Sequence, residues 1–192
     1  WVVYHGLATV REPVGMGLIT EVARAVDQLD VFSLNHDLLI ERQLEVGGIP
    51  FLDGFGEQDG NILKFNWSWG QSKKRWFDWF AQPKLKVRLF KLHGSIDWYL
   101  FRCKTVDQFG KACDPEHARD KDQELVSLLG PKPLFLTGTT VKEQTYGISL
   151  VGELFREFHS RLHQHHTLIC SGYGWGDKGI NIRINQWLRD AR

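Results

Sequence analysis

The chain has no apolar run approaching the roughly 18 residues a membrane-spanning helix needs, so no transmembrane helix is expected. It has few cysteines: Cys103, Cys113 and Cys170 form an odd set without paired spacing, which argues against a disulfide framework and for a reducing compartment. It has almost no excess of charge, +1 in formal terms, so no global basic field draws it onto nucleic acid or anionic lipid. The opening Trp1-Val2-Val3-Tyr4-His5 has neither a charged start nor a cleavage site, so no signal peptide is expected and a cytoplasmic location is the expectation. No internal repeat is evident. What remains is an ordinary globular balance, 42% hydrophobic and 24% charged over 192 residues, enough for one domain with a sizeable core.

The clearest strand signal lies at 85–92. Leu85, Val87 and Leu89 alternate with Lys84, Lys86 and Arg88, the period-two pattern of a strand with one buried face. Phe90 and Leu92 break the alternation, as expected where a strand end is buried on both faces. The run stops at His93-Gly94, where glycine permits a sharp turn or close approach of a ligand. An imidazole at a strand mouth suits proton transfer near neutral pH.

Around this strand, Leu18, Ile19, Val22, Ala23, Val26 and Leu29 recur at helical spacing and predict an amphipathic helix. Val31–Leu34 reads as a buried strand, followed by a helix over Leu38–Leu44 that Gly47-Gly48 and Pro50 stop. Residues 51–83, rich in glycine and aromatics, read as a small subdomain or lid with one strand at 62–67. Lys73-Lys74-Arg75 beside Trp76 and Phe77 is read there as a solvated loop rather than a nucleic-acid surface. Further strands are expected at 96–101, 134–140 and 167–170, and helices at 150–162 and 180–188, with 103–122 an exposed charged insertion. Helices alternating with apolar strands imply an α/β fold with a doubly wound, mainly parallel sheet.

Three motifs follow strands in chain order: Asn35-x-Asp37, His93-Gly94-Ser95, and Ser171-Gly172-Tyr173-Gly174 leading to Asp177 and Asn181. Together, from about Val31 to Leu188, they resemble the sirtuin-like fold, closest to the bacterial NAD-hydrolase branch found in anti-phage defence proteins. The resemblance implies a Rossmann-like NAD-binding domain over 1–192, with NAD as substrate. It further implies a homo-oligomer or an additional sensor domain or subunit. By the motifs, Asn35 would hold the nicotinamide ribose or an attacking water, and His93 would take the proton. Asp37 would meet the nicotinamide carboxamide, while Gly94, Ser171, Gly172 and Gly174 would let backbone approach the nucleotide. Asp177 and Asn181 would reach the adenosine side or order their loop. Ordinary capping competes at two of these positions, because Asn35 or Asp177 can each serve as a helix N-cap.

Two departures from the family stand out. The zinc ribbon of the deacetylase sirtuins would fall where only Cys103, Cys113 and His117 occur, at the wrong spacing, so no metal is expected. His163, His165 and His166 are read as a solvated helix end. The family's opening strand and Gly-Ala-Gly-x-Ser phosphate cradle have no counterpart before Val31; either that unit lies upstream of Trp1 or it is lost. Three function classes follow: an NAD glycohydrolase, a non-catalytic domain sensing NAD or ADP-ribose, and an NAD-dependent protein deacylase.

Overall fold

The computed structural model describes residues 7, 12–59, 62–65, 86–103, 106–112, 115–120, 122, 124–125, 127–129, 133–136 and 150–190. The expected basic loop at 73–75 and most of the expected strand at 134–140 lie outside them. The chain forms two compact units, Trp1–Phe135 and Leu136–Arg192. No helix among the described residues is long and apolar enough to cross a membrane.

The first unit opens with helix α1, Gly17–Ala25, then strand β1, Leu29–Ser33, helix α2, Leu39–Val46, and the short strand β2, Phe51–Leu52. After them come β3, Phe55–Asp59, β4, Ile62–Phe65, β5, Val87–Lys91, β6, Trp98–Cys103, β7, Val106–Lys111, a 3-10 turn at Pro115–His117, and β8, Ser127–Leu128. Strands β1, β5 and β2 form a parallel sheet with β5 in the centre. Its register pairs Leu29 with Val87, Val31 with Leu89 and Ser33 with Lys91.

Period-two alternation then decides which side chains meet. Val87 and Leu89 form one core with Ala23 of α1 and Ile40 and Leu44 of α2, and Leu29 and Val31 pack against it. On the opposite face Phe90 stacks on Phe32, ring centroids 4.8 Å apart, and Arg88 binds Asp30, with Nη2 to Oδ2 at 2.7 Å. The expectation of a half-solvated strand therefore fails: β5 is buried from end to end, Arg88 at 2% exposure included. A charge in such a strand persists only with a partner, and Asp30 supplies it.

The rest of the unit departs from a mainly parallel, doubly wound sheet. Strands β3, β4, β7, β6 and β8 make a second, antiparallel sheet of five strands, larger than the parallel one. Only two residues separate β3 from β4 and β6 from β7, too few for the crossover a parallel pair requires. Of the expected exposed insertion at 103–122, Cys103 and Val106–Lys111 lie in strands of this sheet, and Ala112, Ala118 and Asp120 are buried. Asp120 earns its burial by accepting hydrogen bonds from the amides of Asp122 and Glu124. The described part of 51–83 contributes β2 to the parallel sheet and β3 and β4 to the antiparallel one.

The second unit contains α3, Leu150–Leu162, and α4, Lys178–Asp190. Leu154, Phe155 and Phe158 of α3 and Ile180, Ile184 and Trp187 of α4 are buried, and Arg183 lies over the Phe155 ring at 4.9 Å. The Trp187 indole donates to the His165 carbonyl at 3.1 Å, closing the turn after α3. Among the described residues no strand covers 167–170, where one is expected, and Ile169 is 65% exposed. Three apolar residues, Leu168, Ile169 and Cys170, are too short a run to bury a strand without a neighbour to pair with.

Candidate functional site

Because β1 and β5 are parallel and Ser33 is level with Lys91, Asn35 and His93 each sit two residues past the last pair, at one end of adjacent strands. That is the carboxyl end, where open parallel sheets bind ligands. The two loops are stitched together by backbone. The Leu92 amide donates to the Ser33 carbonyl at 2.9 Å and the Ile96 amide to the His36 carbonyl at 3.0 Å. Asn35 is exposed, and its own amide donates to Ser33 Oγ at 3.1 Å.

His93 lies beneath this surface at 4% exposure. The ring beside it belongs to His36, with centroids 6.2 Å apart, and His36 also contacts Phe135 at 5.0 Å. Gly94 holds the turn with φ near 80°, a conformation that costs other residues energy. A Cβ there would strike the Leu134 carbonyl and lie 2.9 Å from the Phe135 Cα, because Gly94 bridges to Phe135. Its glycine is thus required by the chain at 134–135. The adjoining Ser95 amide donates to Leu134 and the Ser95 hydroxyl to His36.

Asp37 forms an Asx turn just before α2: its Oδ1 accepts the Leu39 amide at 3.0 Å. The carbonyl of Asp37 accepts from the Lys91 ammonium, which also binds Glu41 Oε1 at 3.0 Å. Lys91 occupies the face of β5 that carries Val87 and Leu89, and at 1% exposure it is fully buried. Burial drives the Glu41 carboxyl above its ordinary value, outweighing the opposing pull of Lys91 and Lys111. One cation therefore joins the central strand, the Asn35 loop and α2. Sequence reading passed over Lys91, Glu41 and His36. The signal was present: a charge two places beyond Leu89 on a core face requires a counter-charge, and Glu41 lies one helical turn after Asp37.

The glycine-rich loop belongs to the second unit. Asp177 Oδ1 accepts the Ile180 amide at 3.1 Å, the N-cap of α4. Asn181 Oδ1 accepts from the Tyr173 hydroxyl at 2.7 Å, and Asn181 Nδ2 donates to the Trp175 carbonyl at 2.8 Å. Both side chains therefore order the loop. Gly172 has φ near 65° with open space around it, and Ser171 and Gly174 are exposed. Leaving backbone bare in this way suits close approach of a ligand.

Among the described residues no three His, Cys, Asp or Glu side chains converge to hold a metal ion. Comparison with known protein families finds no match to this chain, and comparison with curated proteins finds none either.

Proposed function

We propose that the chain is an NAD-cleaving domain of the sirtuin-like kind, releasing nicotinamide from NAD and leaving ADP-ribose or a cyclised form. The observation that carries this reading is the register of β1 and β5, which sets Asn35 and His93 at the same carboxyl end of neighbouring parallel strands. Cleavage of the nicotinamide–ribose bond passes through an oxocarbenium-like sugar and asks the protein for positioning and one proton acceptor. In this reading the exposed Asn35 amide holds the ribose or the attacking water. His93, buried and shielded from stray solvent, takes the proton from that water or from a ribose hydroxyl. Asp37 is engaged through Oδ1 at α2 and takes part only through its other carboxylate oxygen.

Incubation with NAD without acylated peptide, with nicotinamide quantified by chromatography, tests it. Release should fall roughly 10²–10⁴-fold in His93→Ala, the usual worth of a positioned general base. Asn35→Ala should also slow release while leaving thermal stability unchanged, since the side chain is exposed. Release that survives both substitutions refutes the assignment. The second reading, NAD or ADP-ribose sensing without turnover, is favoured by the 4% exposure of His93. Saturable binding of either ligand without nicotinamide release selects it.

A further inference from the structure

A buried base must dispose of the protons it collects. In the cleavage reading, the oxygen of water or of a ribose hydroxyl adds to the sugar carbon as the carbon–nitrogen bond breaks. Nicotinamide departs neutral with the bonding pair, and the proton of the attacking oxygen passes to His93. His93 is only 4% exposed, so that proton has no direct route to solvent, yet the ring must lose it before the next turnover.

His36 stands beside it and, unlike His93, is partly exposed. The ring centroids are 6.2 Å apart and the planes are tilted by 33°. Imidazole atoms lie about 1.2 Å from the ring centre, so the facing edges come no nearer than roughly 4 Å, too far for a direct hydrogen bond but spanned by one water. The spacing is held from several sides. The His36 carbonyl accepts the Ile96 amide at 3.0 Å and the Ser95 hydroxyl at 3.3 Å, both from the turn that follows His93. The Phe135 ring lies against the His36 imidazole with centroids 5.0 Å apart. The charged side chains of the same segments are committed elsewhere: Lys91 to Glu41, Asp37 Oδ1 to the Leu39 amide, and Asp97 to Lys111.

We propose that His36 carries the proton of His93 to solvent. The proton moves from the His93 imidazolium through one water to the neutral His36 ring, and from there to bulk water. Imidazole suits both steps, since it is the side chain that ordinarily gains and loses a proton near neutral pH. His36 touches no reacting atom in this scheme; it is a positioning residue for the proton. Its part in turnover rests on the NAD-cleaving reading, whereas the path from His93 through His36 to solvent is a property of the resting protein.

The test reads path and turnover separately. Exchange of the His93 ring N–H with water is measured on the ¹⁵N-labelled 192-residue chain without NAD. His36→Phe keeps a ring against Phe135, and His36→Gln is polar and of similar size. Each should slow the exchange at least about tenfold. Both should keep the wild-type amide spectrum, because the bonds from Ile96 and Ser95 reach the backbone carbonyl of His36. In His36→Ala, added imidazole should restore the rate, and pyrazole, a ring of the same size that is not protonated near neutral pH, should not. With NAD, His36→Gln should lower kcat at least about tenfold at unchanged KM, and imidazole should rescue His36→Ala. Unchanged exchange in both His36→Phe and His36→Gln, or equal rescue by imidazole and pyrazole, overturns the relay. Slowed exchange with undiminished kcat overturns its part in turnover. Absence of nicotinamide release by the wild type refutes the cleavage reading instead, and the exchange rates still decide the relay.

Discussion

Replacing Lys91 by methionine keeps the bulk of the side chain and deletes its charge, leaving Glu41 buried with no cation bonded to it. The pair is desolvated on both sides, with side-chain exposures of 1% and 8% and a separation of 3.0 Å. Breaking such a pair from one side costs about 3–5 kcal/mol, because the remaining charge loses its counter-ion without regaining water. The Asp37 carbonyl also loses a donor, worth about 1 kcal/mol. Against a domain stability of roughly 5–15 kcal/mol, the loss is a large fraction of the whole. The double variant Lys91→Met, Glu41→Leu should recover most of it and fall within about 2 kcal/mol of the wild type, since apolar replacements of a buried pair are often near neutral. Urea unfolding followed by tryptophan fluorescence measures each, with a constant m value as the check that only stability has changed. The single variant also has a signed pH response. Its Glu41 carboxyl titrates above the ordinary 4.5, since burial raises it and Lys91 no longer opposes that. Between 4.5 and that higher value the folded state binds more protons than the unfolded state, so stability falls as pH rises through the window and is regained on acidification toward 4.5. A loss below about 1 kcal/mol in the single variant, or a double variant as unstable as the two singles added together, refutes the argument.

Two glycines with positive φ separate strain from crowding. Gly94→Ala should lower stability by about 2 kcal/mol or more, combining backbone strain with collision at Leu134 and Phe135. Gly172→Ala, with open space at its Cβ, should show only the strain, about 1–2 kcal/mol; equal thermal shifts for both would refute the steric account. Asp177→Ala should cost about 1 kcal/mol through loss of the α4 cap, seen as faster exchange of the Ile180 amide in the first turn.

Much of the parallel layer was legible because period two and period 3.6 are unambiguous there. The helices around Ala23 and Leu44 and the strands at Val31 and Leu89 all appear, with ends moved by one to four residues. The antiparallel sheet was less legible. Its hairpins join charged and aromatic stretches such as 106–111, where pairing with β6 and β4 decides the structure and local hydrophobicity does not. Arg88 and Lys91 misled in the same way, since a charge reads as solvated unless its partner, tens of residues away, is known. At the site, order along the chain correctly brought Asn35 and His93 to one sheet end. It could not reveal that Asp37 closes an Asx turn and Asp177 caps α4, because the residue types that make turns and caps are also those that bind ligands.

The amide bonds that cross between the strand-end loops bear on time as well as position. Leu92 reaches to Ser33, Ile96 to His36, Ser95 to Leu134, and Leu134 in turn to Trp98. No single loop can lift away without rupturing its neighbours' bonds, so the segments around His93 open together or not at all. Such concerted opening belongs to the slow, sub-global class of fluctuation, microseconds or longer, rather than to the nanosecond wandering of a free loop. Whatever approaches these strand ends from solvent therefore meets a stationary lip: the imidazole does not travel out to it, and access is governed by how often the whole stitched patch gives way.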